Sequence, residues 1–476
     1  MASSTCLRRF SQLSLDRATQ PAFAPRSLLA ATQASCFSTS AARHANPTGK
    51  KGMGAAPKRG TKTLNVKKGR KDTVKDLSKK PSPGDRKAMR KRIVLSNNNA
   101  LEVPGLKDLE KDNALDPSNE GKVMGLAENV VDALRAVEAF KPSQGWSLFR
   151  RPATLMRKET IQVAQLLKEA EEAPEGQAKK TLRRILTGQR MSGKSTLILQ
   201  GLAMGVLRDW VVIHLPEGQD LVNAHTEYAP LPGSQPTQYT QDLYTANLLS
   251  QIIKANEKIL ASININTNPS LPFPLPANSN LKQLADLGII NPEASWPVFA
   301  ALWKELTQPG RPPIMLGLDG LSHVMGESQY MSAEVKRIHA FDLTIVRHFI
   351  DHLSGKVALP NGGLVLAATT KSNSPTSPAL DFSIQVAEAR QNKASDLPQW
   401  NPYANVDQRA MEALKDIEVL KVGGMSKEEA RSIMEYYAAS GMLRAKVDEG
   451  FVTEKWSLAG MGNIGELERA SVRLRV

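Results

Sequence analysis

Short apolar runs recur along the middle of the chain, each followed by polar or glycine-rich residues. They read TLRRILT (181–187), DWVVIHLP (209–216), PPIMLGLDG (312–320) and GGLVLAATT (362–370). Continuous apolar runs of this length are typical of strands buried on both faces of a parallel sheet. Between the runs lie stretches with helical apolar spacing, such as TLILQGLAMGVL (196–207). This alternation predicts an α/β fold with a parallel sheet flanked by helices.

The last part of the chain, residues 403–476, has a different pattern. MSKEEARSIMEYYAASG (425–441) predicts a helix with a capping box from Ser426 to Glu429 and a closing Gly441. The other segments predict, in chain order, a helix, a short strand, a strand pair and a last helix: DQRAMEALKD (407–416), IEVLKVGG (417–424), FVTEKWSLAG (451–460) and GNIGELERASVRL (462–474). We expect a C-terminal helical or winged-helix-like lid on the α/β domain.

One glycine-rich turn between a predicted strand and a predicted helix matches G-x-x-x-x-G-K-[ST] in full. Its glycines let successive backbone N–H groups point at phosphate oxygens, and the helix that follows places its N-terminus at the same point. We expect Lys194 to reach the β- and γ-phosphates and the Ser195 hydroxyl to bind Mg²⁺. The predicted phosphate-binding residues are Gly188, Gln189, Arg190, Met191, Ser192, Gly193, Lys194, Ser195 and Thr196.

Two further strand ends carry candidate site residues. Asp319 ends PPIMLGLDG, where a hard oxygen ligand for Mg²⁺ is expected. Thr369 and Thr370 end GGLVLAATT, and polar side chains there either sense a γ-phosphate or simply close the strand. Both interpretations of the threonines stay open.

The sequence offers no obvious catalytic residue for such a site. Gly320 follows Asp319, where many P-loop ATPases have a catalytic Glu. No N-K-x-D sequence that would read guanine is present, because NKASD (392–396) has one residue too many. We therefore predict no catalytic residue and slow or absent hydrolysis, and the spacing does not identify the base.

The positive charge is concentrated near the N-terminus. The chain carries a net charge of +15, but residues 50–92 alone hold 17 Lys and Arg against three Asp. We expect residues 46–92 to be a disordered basic arm that contacts RNA through its phosphates, since the segment nearly lacks aromatic and large aliphatic residues. A solvated linker and an anionic membrane surface are the alternatives.

Residues 1–45 are rich in Ser, Ala and Arg with one acidic residue, Asp16, which is the composition of a mitochondrial transit peptide. We therefore predict a location in the mitochondrial matrix. The two cysteines, Cys6 and Cys36, both lie in this segment, which excludes a disulfide framework or Cys-based zinc site in the body. No run approaches 18 consecutive apolar residues, so no membrane span is expected.

These boundaries predict four segments. They are the transit peptide (1–45), the basic arm (46–92), the P-loop nucleotide-binding domain (93–402) and the C-terminal module (403–476). Within the third, NINTNPSLPFPLPANSN (264–280) predicts a long exposed insertion.

Several segments, taken in order, resemble the death-associated protein 3 family of mitochondrial small-subunit ribosomal proteins, in a fungal-type member. They are the phosphate loop, DWVVIHLP, PPIMLGLDG, GGLVLAATTKSNSP and LKVGGMSKEEARSIMEYY. The resemblance covers about residues 125–476, and this ordered set is more specific than the loop alone. P-loops of this branch often have glycine where this chain has Met191.

The resemblance implies an AAA-like P-loop domain with a helical or winged lid, set in the head of the mitochondrial small subunit. It implies bound GTP or GDP (ATP is an alternative) with Mg²⁺. It also implies contacts with small-subunit rRNA, with other small-subunit proteins and with large-subunit proteins at intersubunit bridges. Carried over by residue, Gly188, Gly193, Lys194 and Ser195 form the phosphate loop, and Asp319 is the metal-side acid.

Three functions therefore stay open. The first is a structural ribosomal protein that supports mitochondrial translation, binds a guanine nucleotide and is at most a weak GTPase. The second is a matrix ATPase of the signal-transduction type that cycles its lid. The third is a transient RNA-binding factor for ribosome assembly.

Overall fold

A computed structural model describes residues 93–172, 179–267, 269–276, 278–372, 374–403 and 407–473. The predicted transit peptide (1–45) and basic arm (46–92) lie outside these residues. The strands are β1 Val123–Gly125, β2 Ala153–Leu155, β3 Thr181–Gly188, β4 Val211–Leu215, β5 Ala229–Pro230, β6 Tyr239–Thr240, β7 Ile314–Asp319, β8 Glu327–Met331, β9 Arg337–His339, β10 Gly363–Ala368 and β11 Val419–Val422.

The α-helices surround these strands and are longest next to the main sheet. They are α1 Glu128–Ala136, α2 Lys158–Glu171, α3 Lys194–Leu207, α4 Gly218–Val222, α5 Asp242–Ala255, α6 Glu257–Ser262, α7 Leu281–Ile290, α8 Ser295–Leu306, α9 Thr344–Ser354, α10 Pro378–Gln391, α11 Gln408–Ala413, α12 Lys427–Ala439, α13 Glu449–Leu458 and α14 Ile464–Ser471.

The main sheet has five parallel strands in the order β11–β3–β10–β7–β4. Each apolar run of the sequence forms one of them, so the predicted parallel α/β fold is confirmed. β10 lies between β3 and β7, and Ala368 pairs with Leu186 on one side and Asp319 on the other. The strand ends that carry the candidate site residues therefore meet at one edge.

The two faces of this sheet are both buried, which explains why its strands are apolar without alternation. Along β3, Ile185 belongs to one core and the next residue, Leu186, to the other. Helices α1, α2 and α3 cover the Leu186 face, and helices α5 to α11 cover the Ile185 face. The molecule is thus layered as helix, sheet and helix.

The C-terminal part differs from one prediction. FVTEKWSLAG, predicted as a strand pair, is helix α13, so that prediction is wrong. Asp448 caps this helix by accepting from the Phe451 N–H, and the first turn carries Glu449. This local capping outweighs the β-favouring Phe, Val and Thr. The described residues 423–473 contain helices and no strand, so this region is helical and has no wing there.

The strand IEVLKVGG, assigned to the C-terminal segment, is edge strand β11 of the main sheet. Helices α12, α13 and α14 follow it and pack on Phe149 and Leu155, so they enclose a third, smaller core. Phe149 stacks on Tyr437 with ring centroids 5.4 Å apart. The capping box from Ser426 to Glu429 is confirmed.

The Pro-rich stretch 264–280 is only partly exposed. Its ends pair antiparallel at Asn264 and Asn280. Apolar side chains along it, including Leu271 and Phe273, pack against the core. The start of this stretch is also anchored by a hydrogen bond, because the Thr267 N–H donates to the carboxylate of the buried Glu305 at 2.7 Å. The segment is therefore a packed surface loop.

Candidate functional site

The glycine-rich turn joins β3 to α3 as predicted. Helix α3 begins at Lys194, and Gly193 before it has a φ of 98°, a left-handed conformation that favours glycine. The N–H groups of the first helical turn have no acceptor within the helix. Together with the helix dipole, they make this end of α3 suited to an anion such as phosphate.

Lys194 lies inside this turn and is almost fully buried. Its ammonium donates to the backbone carbonyls of Gly188 at 3.2 Å and Gln189 at 2.7 Å. Burial lowers the pKa of Lys194 to about 8, while nearby Asp319 opposes that shift. A buried ammonium held only by neutral carbonyls is suited to accept a negatively charged ligand.

Asp319 has an intramolecular partner that the sequence did not reveal. The Lys141 ammonium lies 3.5 Å from Asp319 Oδ2 and 3.9 Å from Glu217 Oε1, and it also donates to the Pro216 carbonyl. The Lys141 and Asp319 side chains are only 14% and 13% exposed. A second cation therefore lies at the predicted metal-side acid.

Gly320 has a backbone reason to be glycine. Its φ is 87°, and a Cβ at this position would lie 3.2 Å from the Gly218 nitrogen. The left-handed region costs a side-chain-bearing residue roughly 1–2 kcal/mol. A glutamate would therefore be strained here, which gives a physical basis for the predicted lack of a catalytic Glu at this position.

The two threonines after β10 have different surroundings. The Thr369 hydroxyl donates to the Leu186 carbonyl at 3.0 Å, and the side chain is buried. This contact ties β10 to the strand that leads into the turn. Thr370 is half-buried, and its hydroxyl accepts from the Ser372 N–H at 3.3 Å. Both residues line the cavity described below, so either role proposed for them is sterically open.

Met191 shows where the turn is strained. Its φ of 62° lies in the left-handed region, which a glycine would adopt without the strain that a side chain brings. Behind it, Arg157 donates to the Ser192 carbonyl at 2.8 Å and to the Gly423 carbonyl at 2.9 Å. Arg157 is only 6% exposed, so the turn is held from inside the protein.

The C-terminal helices contact the turn directly. Asn463, which caps α14, donates its side-chain amide to the Arg190 carbonyl at 2.8 Å. The Gly465 N–H donates to the Met191 carbonyl at 3.1 Å. A Cβ at Gly465 would come within 2.6 Å of Met191 Cε, so only glycine permits this approach. Helix α14 is thereby seated on the turn.

One cavity of about 490 Å³ joins these parts. It is lined by residues of the turn, by Asp319 and Gly320, and by residues of α12 and α14. Its volume is in the range of sites for small ligands. Of the nine predicted phosphate-binding residues, the seven from Arg190 to Thr196 line it, whereas Gly188 and Gln189 do not.

Sequence reasoning missed several residues at this site. Lys141, Arg157 and Asn463 come from segments far from the turn in the chain, and none lies in a motif. Gln144 donates to the Thr196 hydroxyl at 3.2 Å, and Glu217 also lines the cavity. For Glu217 a signal existed, because it follows a predicted strand whose end faces the same edge.

The described part of the chain has no group of three or more His, Cys, Asp or Glu side chains arranged to hold a metal ion. A Mg²⁺ ion bound with phosphate needs fewer protein ligands, and Ser195 and Asp319 supply suitable oxygens at one cavity. Among the described residues, no helix has the length and apolar character to span a bilayer.

Fold and site together define a three-layer parallel α/β protein with a ligand-sized cavity at the carboxyl edge of its sheet. The family model described as mitochondrial ribosomal death-associated protein 3 matches residues 154–470. The small ribosomal subunit protein mS29 of Neurospora crassa is 43% identical over 482 residues, 99% of each chain. The protein of the same name in Schizosaccharomyces pombe is 22% identical over 75% of this chain and 72% of its own.

This chain belongs to the mitochondrial ribosomal death-associated protein 3 family, as the resemblance predicted. The predicted mitochondrial location is confirmed with it. A Walker-type ATPase of Pyrococcus abyssi, whose structure is solved, overlaps 66% of this chain and 69% of its own at 11% identity, with a TM-score of 0.33. A structural similarity at that level does not indicate a shared function.

Proposed function

We propose that this protein is a structural constituent of the mitochondrial small ribosomal subunit, in its head, and that it binds a guanine nucleotide with Mg²⁺. Family membership supports the ribosomal part, because the Neurospora crassa relative that matches nearly all of the chain is named a small ribosomal subunit protein. The proposed partners are small-subunit rRNA, other small-subunit proteins and large-subunit proteins at intersubunit bridges. The basic arm (46–92) is the segment proposed to contact RNA.

Nucleotide binding rests on one observation. Lys194, at the start of α3, and Asp319, at the end of β7, line the same ligand-sized cavity. In the proposed complex, backbone N–H groups of the turn hold the phosphates, and Lys194 moves from the loop carbonyls onto them. Ser195 and Asp319 hold Mg²⁺, which neutralises phosphate charge. The fold is then an AAA-like P-loop domain with α12 to α14 as its lid.

We propose that turnover is slow or absent. Gly320 has a backbone that disfavours a catalytic glutamate, and Lys141 lies beside the metal-side acid. One observation favours the competing function, a matrix ATPase that cycles its lid. Glu217 lines the same cavity and has a carboxylate that is 54% exposed, so it is a candidate base for activating water.

Three measurements test the proposal. The nucleotide released on denaturing purified protein is identified by chromatography, and GTP or GDP is expected. Lys194→Ala is expected to abolish nucleotide binding. Turnover of the wild type is expected to be barely measurable, and rapid ATP hydrolysis that is lost in Glu217→Gln would establish the ATPase instead.

The ribosomal role is tested by sedimentation of a mitochondrial extract at moderate and high salt. Stable co-migration with the small subunit is expected for a constituent protein. Release into the soluble pool at moderate salt would instead indicate a transient assembly factor.

A further inference from the structure

The cavity has two ends of different character. One end is the turn before α3, with its N–H groups and Lys194. The other end has apolar walls from three parts of the chain, including Leu155, Ile433, Tyr436 and Ile464. An apolar slot beside a phosphate-binding turn is suited to a flat heterocyclic base, which is held by its faces and recognised by polar groups at its edge.

Glu468 is the carboxylate at this apolar end. It lies about one helical turn, roughly 5 Å, beyond Gly465, whose N–H contacts the phosphate turn. Its side chain is 19% exposed and lines the cavity. A Cβ at Gly145 would lie 2.1 Å from Glu468 Oε1, so the carboxylate packs directly against the Gly145 backbone.

The carboxylate is held in place with an oxygen left as an acceptor. Arg473 Nε lies 2.7 Å from Glu468 Oε1, and Arg473 Nη1 donates to the Ser143 carbonyl at 3.0 Å. Oε1 is buried between Arg473 and Gly145, so a ligand in the cavity can reach only the other oxygen, Oε2, which accepts no hydrogen bond among the described residues. Burial raises the pKa of Glu468, and the Arg473 guanidinium opposes that shift.

The hydrogen-bonding groups of guanine and adenine decide which of the two bases fits beside a carboxylate. Guanine presents two adjacent donors, N1–H and the N2 amino group, and a carboxylate accepts from both. Adenine presents an acceptor at N1, which repels a carboxylate. The motif N-K-x-D, which usually supplies such a carboxylate, is missing from this chain.

From this geometry we infer that Glu468 reads the guanine base, with Arg473 as a positioning residue. The inference rests on the proposed function and deepens it, since it assigns base selection to the C-terminal helix that caps the phosphate turn. Base recognition and the contact with the phosphate turn then depend on the same element, α14.

The test uses the full chain and measures binding of GDP, ADP and xanthosine diphosphate with Mg²⁺ by calorimetry. Glu468→Gln replaces one acceptor by a donor, which suits the carbonyl that xanthine carries where guanine carries its amino group. GDP affinity is expected to fall about 10- to 100-fold, which is the loss of charge-assisted hydrogen bonds. Affinity for xanthosine diphosphate is expected to rise.

Two variants serve as controls. Glu466→Gln lies on the same helix, at a side chain that is 47% exposed and pairs with Arg469, and it should leave all three affinities unchanged. Glu468→Asp keeps the carboxylate and should keep the preference for GDP over xanthosine diphosphate, even if the affinities fall. Binding of inorganic pyrophosphate, which has no base, should be equal in all variants.

The outcomes separate the two claims. A wild type that binds no guanine nucleotide contradicts the proposed function itself. A wild type that binds GDP, with Glu468→Gln keeping the same preference for GDP, overturns the inference alone. Equal loss of GDP, ADP and pyrophosphate in Glu468→Gln would also overturn it, since the residue would then only support the fold.

Discussion

The ammonium of Lys141 lies 3.5 Å from Oδ2 of Asp319, inside the cavity where the acid was expected to face a metal. Both side chains are largely buried, so each compensates part of the charge of the other, and Glu217 lies on the far side of Lys141 at 3.9 Å. A bound Mg²⁺ ion and Lys141 would compete for the same carboxylate. The pair therefore links metal binding to the stability of the protein.

We expect Lys141→Met to lower the free energy of unfolding by about 1–3 kcal/mol, because it leaves a buried carboxylate without its partner. Added Mg²⁺ with GDP should restore stability more in the variant than in the wild type. Urea unfolding with and without the ligands measures both effects. Lys282→Met, which breaks an exposed pair with Glu257, is the control and should leave the stability almost unchanged. An equal response of both variants to Mg²⁺ would refute the competition.

Installing the missing glutamate should not create an efficient enzyme. We expect Gly320→Glu to lose roughly 1–2 kcal/mol of stability, because its φ of 87° lies in the left-handed region. Phosphate release from GTP should not increase. Gly326→Glu is the matched control, since a Cβ there meets nothing within 4 Å, and it should be far less destabilised. A marked rise in turnover for Gly320→Glu would show that the backbone is not the obstacle.

The contact between helix α14 and the phosphate turn can be tested by substituting Gly465. A Cβ there would lie 2.7 Å from Met191 Cβ and 3.1 Å from the Met191 carbonyl oxygen, so Gly465→Ala must displace the helix or the turn. We expect GDP affinity to fall about 10-fold, equivalent to roughly 1.4 kcal/mol. Gly450→Ala in α13 is the control, because its nearest contact would be an ordinary 3.6 Å. Unchanged affinity in Gly465→Ala would mean that the lid does not support the site.

Acid should destabilise the protein through His348. Burial lowers its pKa to about 3, and the neighbouring His352 contributes to the shift. An unfolded chain takes up this proton near pH 6.5 and the folded chain does not, so stability is lost as the pH falls below about 6.5. Between about pH 7.5 and 5, this residue should account for roughly 2 kcal/mol.

The measurement compares urea unfolding at both pH values for the wild type and His348→Phe, which should have a smaller pH dependence. Phe349→Leu, a neighbouring buried substitution that does not titrate, should lower stability equally at both pH values. The same pH dependence in His348→Phe as in the wild type would assign the acid effect to other groups.

The basic arm should act separately from the nucleotide site. Replacing residues 46–92 by an uncharged Gly/Ser segment of equal length should weaken RNA binding and reduce its salt dependence. GDP affinity should not change, since none of the described cavity residues comes from that segment. Filter binding to small-subunit rRNA at several salt concentrations is the measurement. Loss of GDP binding in the same variant would contradict a two-part protein.

The sequence alone determined the elements whose signal is local. Apolar runs such as DWVVIHLP identified the buried strands because a strand covered on both faces needs apolar side chains at every position. The turn around Lys194 was found because glycines at fixed spacing are needed to bend the backbone around phosphate. The helix from Lys427 to Ala439 was found because its cap lies beside it in the chain.

Only the tertiary structure decided which distant residues meet these elements. Lys141, Asn463 and Glu468 belong to no motif. Lys141 and Glu468 line the cavity because the segment after α1 and helix α14 pack around the carboxyl edge of the sheet, and Asn463 contacts the turn beside it. The same folding gave Gly320 its left-handed backbone. Contacts between segments far apart in the chain leave no periodic pattern in the sequence, so the sequence alone does not predict them.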